Sequence, residues 1–367
     1  MKKSILLVVA AICLAACGKS GSKGQAFLDE LGINTDSVQI LGDTIDVSTD
    51  SIMYHLNNEQ AARLLGGIAP EWANDSVEVT DLASIVAVKE LPTGGTLAFL
   101  WQESGDGGTM YICTYDSDGK YADGMEFVNW KMLNQGFMED NSSAYFSEKE
   151  DCGGRFTDNG FTIHRTLSGM KSDTEMAEFQ PQWTIDKTYT YAVTPEGKLQ
   201  LKSVDLKKQG NVSAQVLLRD EIRDFAKMPA SDASIVEKLN TLAQRKDVQS
   251  IDEEDRSYGE LLWTVNSVYD RYPKDMMKWL CQHKDSNGLA PLMKKADGYG
   301  VLSRERIDAD IEKLFSGDDA NYLKEATKDW FPQKQDTHQE YEEGDVVEEG
   351  DMSSMAEVEF DGENDGM

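Results

Sequence analysis

Apolar and polar positions change their period twice along this chain of 367 residues. An apolar run, Ser4 to Ile12, stands behind Lys2 and Lys3. Residues 27–79 mix short patterns. Asp50-Ser51 ahead of Ile52 and Gly66-Gly67 behind Leu65 predict a helix over 52–65, because glycine suits the position past a helix end. From residue 80 to 210 the period is two. Ser84 to Val88 and Thr96 to Trp101 flank the turn Pro92-Thr93-Gly94-Gly95. Thr109 to Tyr115 follows the loop Glu103 to Gly108 and runs into the turn Asp116-Ser117-Asp118-Gly119. Arg155 to Thr157 and Phe161 to Arg165 flank Asp158-Asn159-Gly160, and Pro195-Glu196-Gly197 separates Tyr189-Tyr191-Val193 from Leu199-Leu201. Short turns between alternating runs predict hairpins and an antiparallel meander.

From residue 211 to 332 the period becomes helical. Val216 to Met228 forms one segment, stopped by Pro229. Ile235, Val236, Leu239, Leu242 and Ala243 form a stripe, with Ser231 or Asp232 ahead of it as cap. Tyr258, Leu261, Leu262, Val265, Tyr269 and Tyr272 form another, and Pro273 opens a helix running through Cys281. Ser303 caps a helix carrying Ile307, Ile311, Leu314 and Phe315, ended by Gly317, and a last helix runs from Asp318 to Trp330. The fold class is therefore α+β. An N-terminal antiparallel β-meander domain over 80–210 (a barrel, a sandwich or one curved sheet) precedes an all-helical domain over 211–332.

Charge narrows the picture. The formal net charge is −30. A polyanion such as DNA or RNA needs clustered Lys and Arg, so nucleic-acid binding is not expected. Residues 333–367 hold thirteen acids against Lys334 alone, a composition expected to be disordered because it lacks the apolar surface to offset its ordering entropy.

The leader supplies an address. Its apolar stretch is far shorter than the roughly 20 residues that span a bilayer. It ends in Leu14-Ala15-Ala16-Cys17. This resembles the lipobox of bacterial lipoproteins. The resemblance implies a signal peptide over 1–16, removed on processing, and a diacylglycerol on Cys17. A flexible tether follows over 17–26, with Gly18-Lys19-Ser20-Gly21-Ser22-Lys23-Gly24 within it. No Asp follows Cys17, which by resemblance to lipoprotein sorting signals implies the outer membrane, facing the periplasm. Asp36-Ser37-Val38, Asp43-Thr44-Ile45, Asp50-Ser51-Ile52 and Asp75-Ser76-Val77 are similar to the O-glycosylation motif of Bacteroidota, which implies acceptors at Ser37, Thr44, Ser51 and Ser76. Caps and turns explain the same residues equally well.

Candidate chemistry is sparse. With Cys13 in the leader and Cys17 lipidated, Cys113, Cys152 and Cys281 remain. Cys113 and Cys152 lie in the β-rich part and pair in an oxidising compartment, or stay as buried thiols. Trp101, Tyr111, Trp130 and Trp183 would form a platform for a glycan or peptide if they shared one exposed face; core packing is the competing reading. The histidines are His55, in the N-terminal helix, His164, facing solvent between Thr162 and Thr166, His283, near a helix end, and His338 in the tail. None stands with a nucleophile motif, and no catalytic residue is assigned. Asp116-Ser117-Asp118-Gly119 starts like a calcium loop but has Lys120 where an oxygen ligand belongs. No metal or cofactor is expected. The reading is a non-enzymatic binding or scaffolding lipoprotein of the cell envelope, held to the membrane by its lipid, with an envelope protein or glycan as partner. The alternative is a periplasmic hydrolase for a glycan or peptide with its site between the two domains.

Overall fold

The computed structural model describes residues 23–47, 53–69, 83–104, 107–129, 137–138, 145–172, 180–253, 255–283, 288–296, 300 and 302–331. In chain order, helix α1 (Lys23–Glu30) is followed by the short strands β1 (Gln39–Ile40), β2 (Thr44–Ile45) and β3 (Tyr54–His55) and by helix α2 (Asn58–Leu65). Four strands then meander: β4 (Ala83–Glu90), β5 (Thr96–Ser104), β6 (Gly107–Tyr115) and β7 (Tyr121–Asn129). After β8 (Phe137–Met138) come four longer ones: β9 (Tyr145–Thr157), β10 (Gly160–Ser172), β11 (Gln180–Val193) and β12 (Leu199–Gly210). Helices follow: α3 (Ala214–Arg223), α4 (Ile235–Ala243), α5 (Lys246–Gln249), α6 (Arg256–Arg271), α7 (Pro273–Gln282), α8 (Leu289–Lys295), α9 (Arg304–Leu314) and α10 (Gly317–Thr327). The chain is α+β.

The strands form two open sheets. The first has the order β1-β4-β5-β6-β7, with β3 also on β4; the second has β12-β11-β10-β9-β2, with β8 also on β9. Among the barrel, sandwich and curved-sheet alternatives, the shared core decides. Val86, Phe99, Ile112, Met125 and Phe127 of the first sheet are buried in one cluster with Phe161, Ile163, Tyr189 and Tyr191 of the second. The first sheet is covered on its other face too. Ile85, Val88, Leu100, Cys113 and Tyr115 pack against Phe27 and Leu28 of α1 and Leu64 and Leu65 of α2. Burial on both faces explains why β4 reads as a continuous apolar run rather than an alternation. A third cluster belongs to the helices, with Leu239, Leu261, Val265, Tyr269, Met276, Ile307 and Ile311 at its centre.

Local sequence accounts for most boundaries. Asp116 Oδ1 accepts from the backbone N–H of Asp118 and Lys120, closing the β6–β7 turn, and Gly119 adopts φ +70° there. Ser303 Oγ accepts from Arg306 N at 3.2 Å and caps α9, as its position ahead of the apolar stripe predicts. Other boundaries differ from expectation; the helix expected behind Ser231 or Asp232, for one, has Ser234 at its N-cap. The helix predicted over 52–65 starts only at Asn58. Asn57 and Gln60 form a reciprocal capping box, each side chain accepting from the other's backbone N–H at 2.9 Å, and Tyr54–His55 pairs with β4 as a strand instead. His55 therefore lies on a strand, not a helix. Gly317 does not end α9: that helix stops at Leu314, and Gly317, at φ +62°, is the first residue of α10. The loop predicted from Glu103 to Gly108 is mostly strand, with Ser104 paired to Gly107.

The consecutive strands β9–β12 of the second sheet are longer, 12–14 residues, than β4–β7 of the first, 8–9 residues. Where its inner face is not covered by the first sheet, α3 and the 3-10 turn Asp224–Lys227 pack on it.

Candidate functional site

The inner face of the second sheet carries charge where an apolar residue would be the default. On β10 the side chains of Phe161, Ile163, Arg165 and Leu167 follow one another on that face, all buried. On β11 the sequence is Ile185, Lys187, Tyr189, Tyr191, and on β9 it is Glu148, Glu150, Cys152. Arg165 stands directly between Cys152 and Lys187 across the sheet. Buried charges are tolerated only when paired, and α3 supplies the partners. Arg165 bridges Asp220 through Nη1 and lies 3.1 Å from Glu150 through Nη2, without hydrogen-bond alignment at that second contact. Lys187 reaches both Asp220 and Asp224 at 2.6 Å. Arg219 and Arg223, one turn apart on α3, clamp the two oxygens of Glu148 at 2.5 and 3.0 Å, and Arg223 continues to Glu260 of α6 at 2.7 Å.

Lys227 closes the network. Its ammonium donates to the carbonyl of Phe127 on β7 at 2.6 Å and lies 3.4 Å from Glu150. Tyr189 donates its hydroxyl proton to Asp224 at 2.5 Å, and Tyr191 donates to the carbonyl of Lys227 at 2.8 Å. Five carboxylates thus face five cations: Glu148, Glu150, Asp220, Asp224 and Glu260 against Arg165, Lys187, Arg219, Arg223 and Lys227.

Protonation follows from this geometry. Burial works to raise the Glu150 carboxyl, but Lys227 and Arg165 outweigh it and hold its pKa at about 2. Burial also works to lower the Lys227 ammonium, and Glu150 overcomes that and raises it. Asp224 goes the other way: burial lifts it above the ordinary carboxylate range, and Lys187 offsets only part of that. Burial, then the neighbouring Glu150 charge, pushes the Cys152 thiol up to about 12, and its Sγ donates to Glu150 at 3.3 Å. A thiol so raised is a structural donor rather than a nucleophile.

The sequence-derived candidates scatter over the fold. Trp101 and Trp183 pack against the core between the sheets, while Tyr111 packs on the opposite face of the first sheet, with α1 and α2. They do not converge on one face, and Trp130 lies outside the described residues. Trp183 lies over Gly169, where a Cβ would come within 2.1 Å of the indole. Cys113 and Cys152 are both free thiols and belong to different core layers, the first under α1 and α2, the second between the sheets. Thr44 is exposed on β2 and Ser37 is half-buried at the end of a 3-10 turn; Ser51, Ser76, Cys17 and the acidic tail lie outside the described residues. His164 is exposed and shares a hydrogen bond with Thr188 at 3.2 Å, and His283 stacks on Trp279. His55 Nδ1 lies 3.0 Å from Ser84 Oγ across β3 and β4, but Ser84 is only 1% exposed. Among the described residues no group of His, Cys, Asp or Glu is placed to hold a metal ion, and no helix is long and apolar enough to cross a membrane. The buried network itself had a readable signal. Arg165 and Lys187 each sit at a core-facing position of an alternating strand, flanked two residues away by apolar side chains. No protein-family model, curated protein or solved structure matches this chain.

Proposed function

We propose that the protein is a lipid-anchored binding or scaffolding component of a bacterial cell envelope and not an enzyme. The observation that carries this reading is the leader: a basic start, a short apolar run and Leu14-Ala15-Ala16-Cys17, followed by a Gly/Ser tether. Among the described residues, a buried, charge-balanced set of ionisable groups joins helices to a sheet, which supports the scaffolding part of the reading. A network of that kind mounts one part on another rigidly and leaves its acids and bases occupied. The partner is an envelope protein or glycan reached within a tether's length of the bilayer.

The test is metabolic labelling of expressing cells with an alkyne-tagged fatty acid, with membrane fractionation and mild cross-linking. The wild-type protein is expected in the membrane fraction, labelled, and cross-linked to a discrete envelope component. Cys17→Ser is expected to be unlabelled, released from the membrane and without the adduct. An unlabelled, freely soluble wild-type protein overturns the anchoring.

A second reading, a periplasmic glycan or peptide hydrolase, draws on the His55–Ser84 pair. Turnover of chromogenic glycosides or peptides by the purified protein, lost in Ser84→Ala with the fold retained, would replace the first reading. The burial of Ser84 argues against that outcome.

A further inference from the structure

β12 is an edge strand with one exposed half. It has β11 on one side, and among the described residues no strand on the other. From Ser203 to Gly210 every residue is exposed, on both faces. Val204 and Leu206 are 41% and 47% exposed, and pairing opposite Tyr189 and Lys187 places both on the inner side of the sheet. Their neighbours on the outer side are Asp205 and Lys207. A long exposed edge with apolar side chains is a template for another strand.

We infer that two copies of this chain associate through antiparallel β12–β12 pairing about a two-fold axis at Leu206. The register follows from charge. In an antiparallel pair, directly opposed residues share a face, so a two-fold axis must pass through a residue of this regular stretch. Centred on Leu206, the pairing sets Leu206 against Leu206, Asp205 against Lys207 and Lys207 against Asp205. One strand pair then gains two opposite-charge contacts and an apolar Leu206–Leu206 contact, while Val204 lies opposite Lys208. Centred on Asp205, the pairing opposes Asp205 to itself and gains no opposite-charge contact. Centred on Val204, it sets Asp205 against Ser203 and brings no opposite charges together within the regular stretch. Like charges directly opposed destabilise a sheet and opposite charges stabilise it, so of these three registers the first is favoured. The regular stretch is bounded by the bulge at Lys202, where the β11–β12 register shifts, and by Gly210, whose positive φ of +77° ends the strand. The interface is isologous: the same patch serves both copies, and the second sheet continues across the axis.

The test uses the full-length protein in detergent, by analytical ultracentrifugation at several concentrations. The wild-type chain is expected to dimerise. Asp205→Lys and Lys207→Asp each place like charges opposite in both contacts, and each should weaken the dimer by about tenfold. The double variant Asp205→Lys/Lys207→Asp exchanges the two signs and should return the dissociation constant to within about threefold of wild type. Leu206→Cys provides a second measurement, since it brings its own copy opposite itself; under mild oxidation it should give a covalent dimer that the wild-type chain, with its native thiols, does not. A protein that stays monomeric throughout overturns the inference. So does a dimer that ignores the single reversals, a double variant no better than the singles, or Leu206→Cys that fails to cross-link.

Discussion

Glu150 shows how one buried residue sets a pH dependence. Its pKa of about 2 lies below the ordinary 4.5, so its ion pairs contribute stability above pH 4.5, and that contribution is lost as pH falls from there toward 2. A shift of this size corresponds to about 3 kcal/mol. Asp224 has the opposite sign: its raised pKa favours the folded state when the carboxyl is protonated, and this contribution disappears as pH rises through the folded value. It therefore offsets part of the acid loss. Glu150→Gln keeps the shape and removes the charge, leaving Arg165 and Lys227 buried with one acid fewer. Breaking such a pair costs about 3–5 kcal/mol. Urea unfolding at pH 7 is expected to show that loss, and the gap to wild type should narrow toward zero as the pH approaches 2. A gap that does not change with pH would mean that Glu150 acts by packing and not by charge.

At the scale of elements, the junction between β7, β12 and the segment leading to α4 depends on Asp123, which is fully buried. Its Oδ1 accepts from the backbone N–H of Gly124 and of Ser231, both at 2.9 Å; its Oδ2 accepts from Leu199 N at 2.9 Å and from Ser231 Oγ at 2.5 Å. One carboxylate thus fixes the start of β12 and the entry to the helices. Asp123→Ala leaves two long-range backbone donors without partners, at about 1–3 kcal/mol each. Asp123→Asn keeps an acceptor and should cost less. Native-state hydrogen exchange is expected to accelerate at Leu199 and Ser231 in the alanine variant before it does elsewhere in the strands. The start of β12 was readable from the Leu199-Leu201 alternation behind its turn, as were the helical stripes from Ile235 onward, whereas β7 was not read from the sequence. Asp123 was not, because the amides it serves lie 76 and 108 residues away in sequence. The start of α2 was misread for a local reason: Asp50-Ser51 looks like a cap, and the reciprocal Asn57–Gln60 pair that caps the helix stands one turn before its apolar face. Arg165 and Lys187 interrupt apolar faces visibly, but their partners Asp220 and Asp224 stand on a helix whose docking site the pattern does not reveal.

Within residues 23–331, the sandwich and the helices meet through a buried network of paired charges. Glu148, Glu150, Arg165 and Lys187 come from the sheet; Arg219, Asp220, Arg223, Asp224 and Lys227 come from the segment that leads into the helices. Unfolding the helices alone would strand four charges on an otherwise apolar sheet face. Unfolding the sandwich alone would leave α3 with its row of unpaired ions. Either step gives up the whole set of charge-paired contacts between the parts, so the two parts should unfold together. Far-UV circular dichroism and tryptophan emission, which draws on Trp101 and Trp183 in the sandwich and Trp279 and Trp330 in the helices, are expected to trace one coincident transition in urea. Salt discriminates the cause. Exposed ion pairs are screened by 1 M salt and buried ones much less, so coincidence that survives 1 M NaCl locates the coupling in the buried network. Lys187→Met removes the cation shared by Asp220 and Asp224, and it should pull the two transitions apart, with the helical signal lost first. Two separate transitions in the wild-type protein would show that the network joins the parts without coupling their stability.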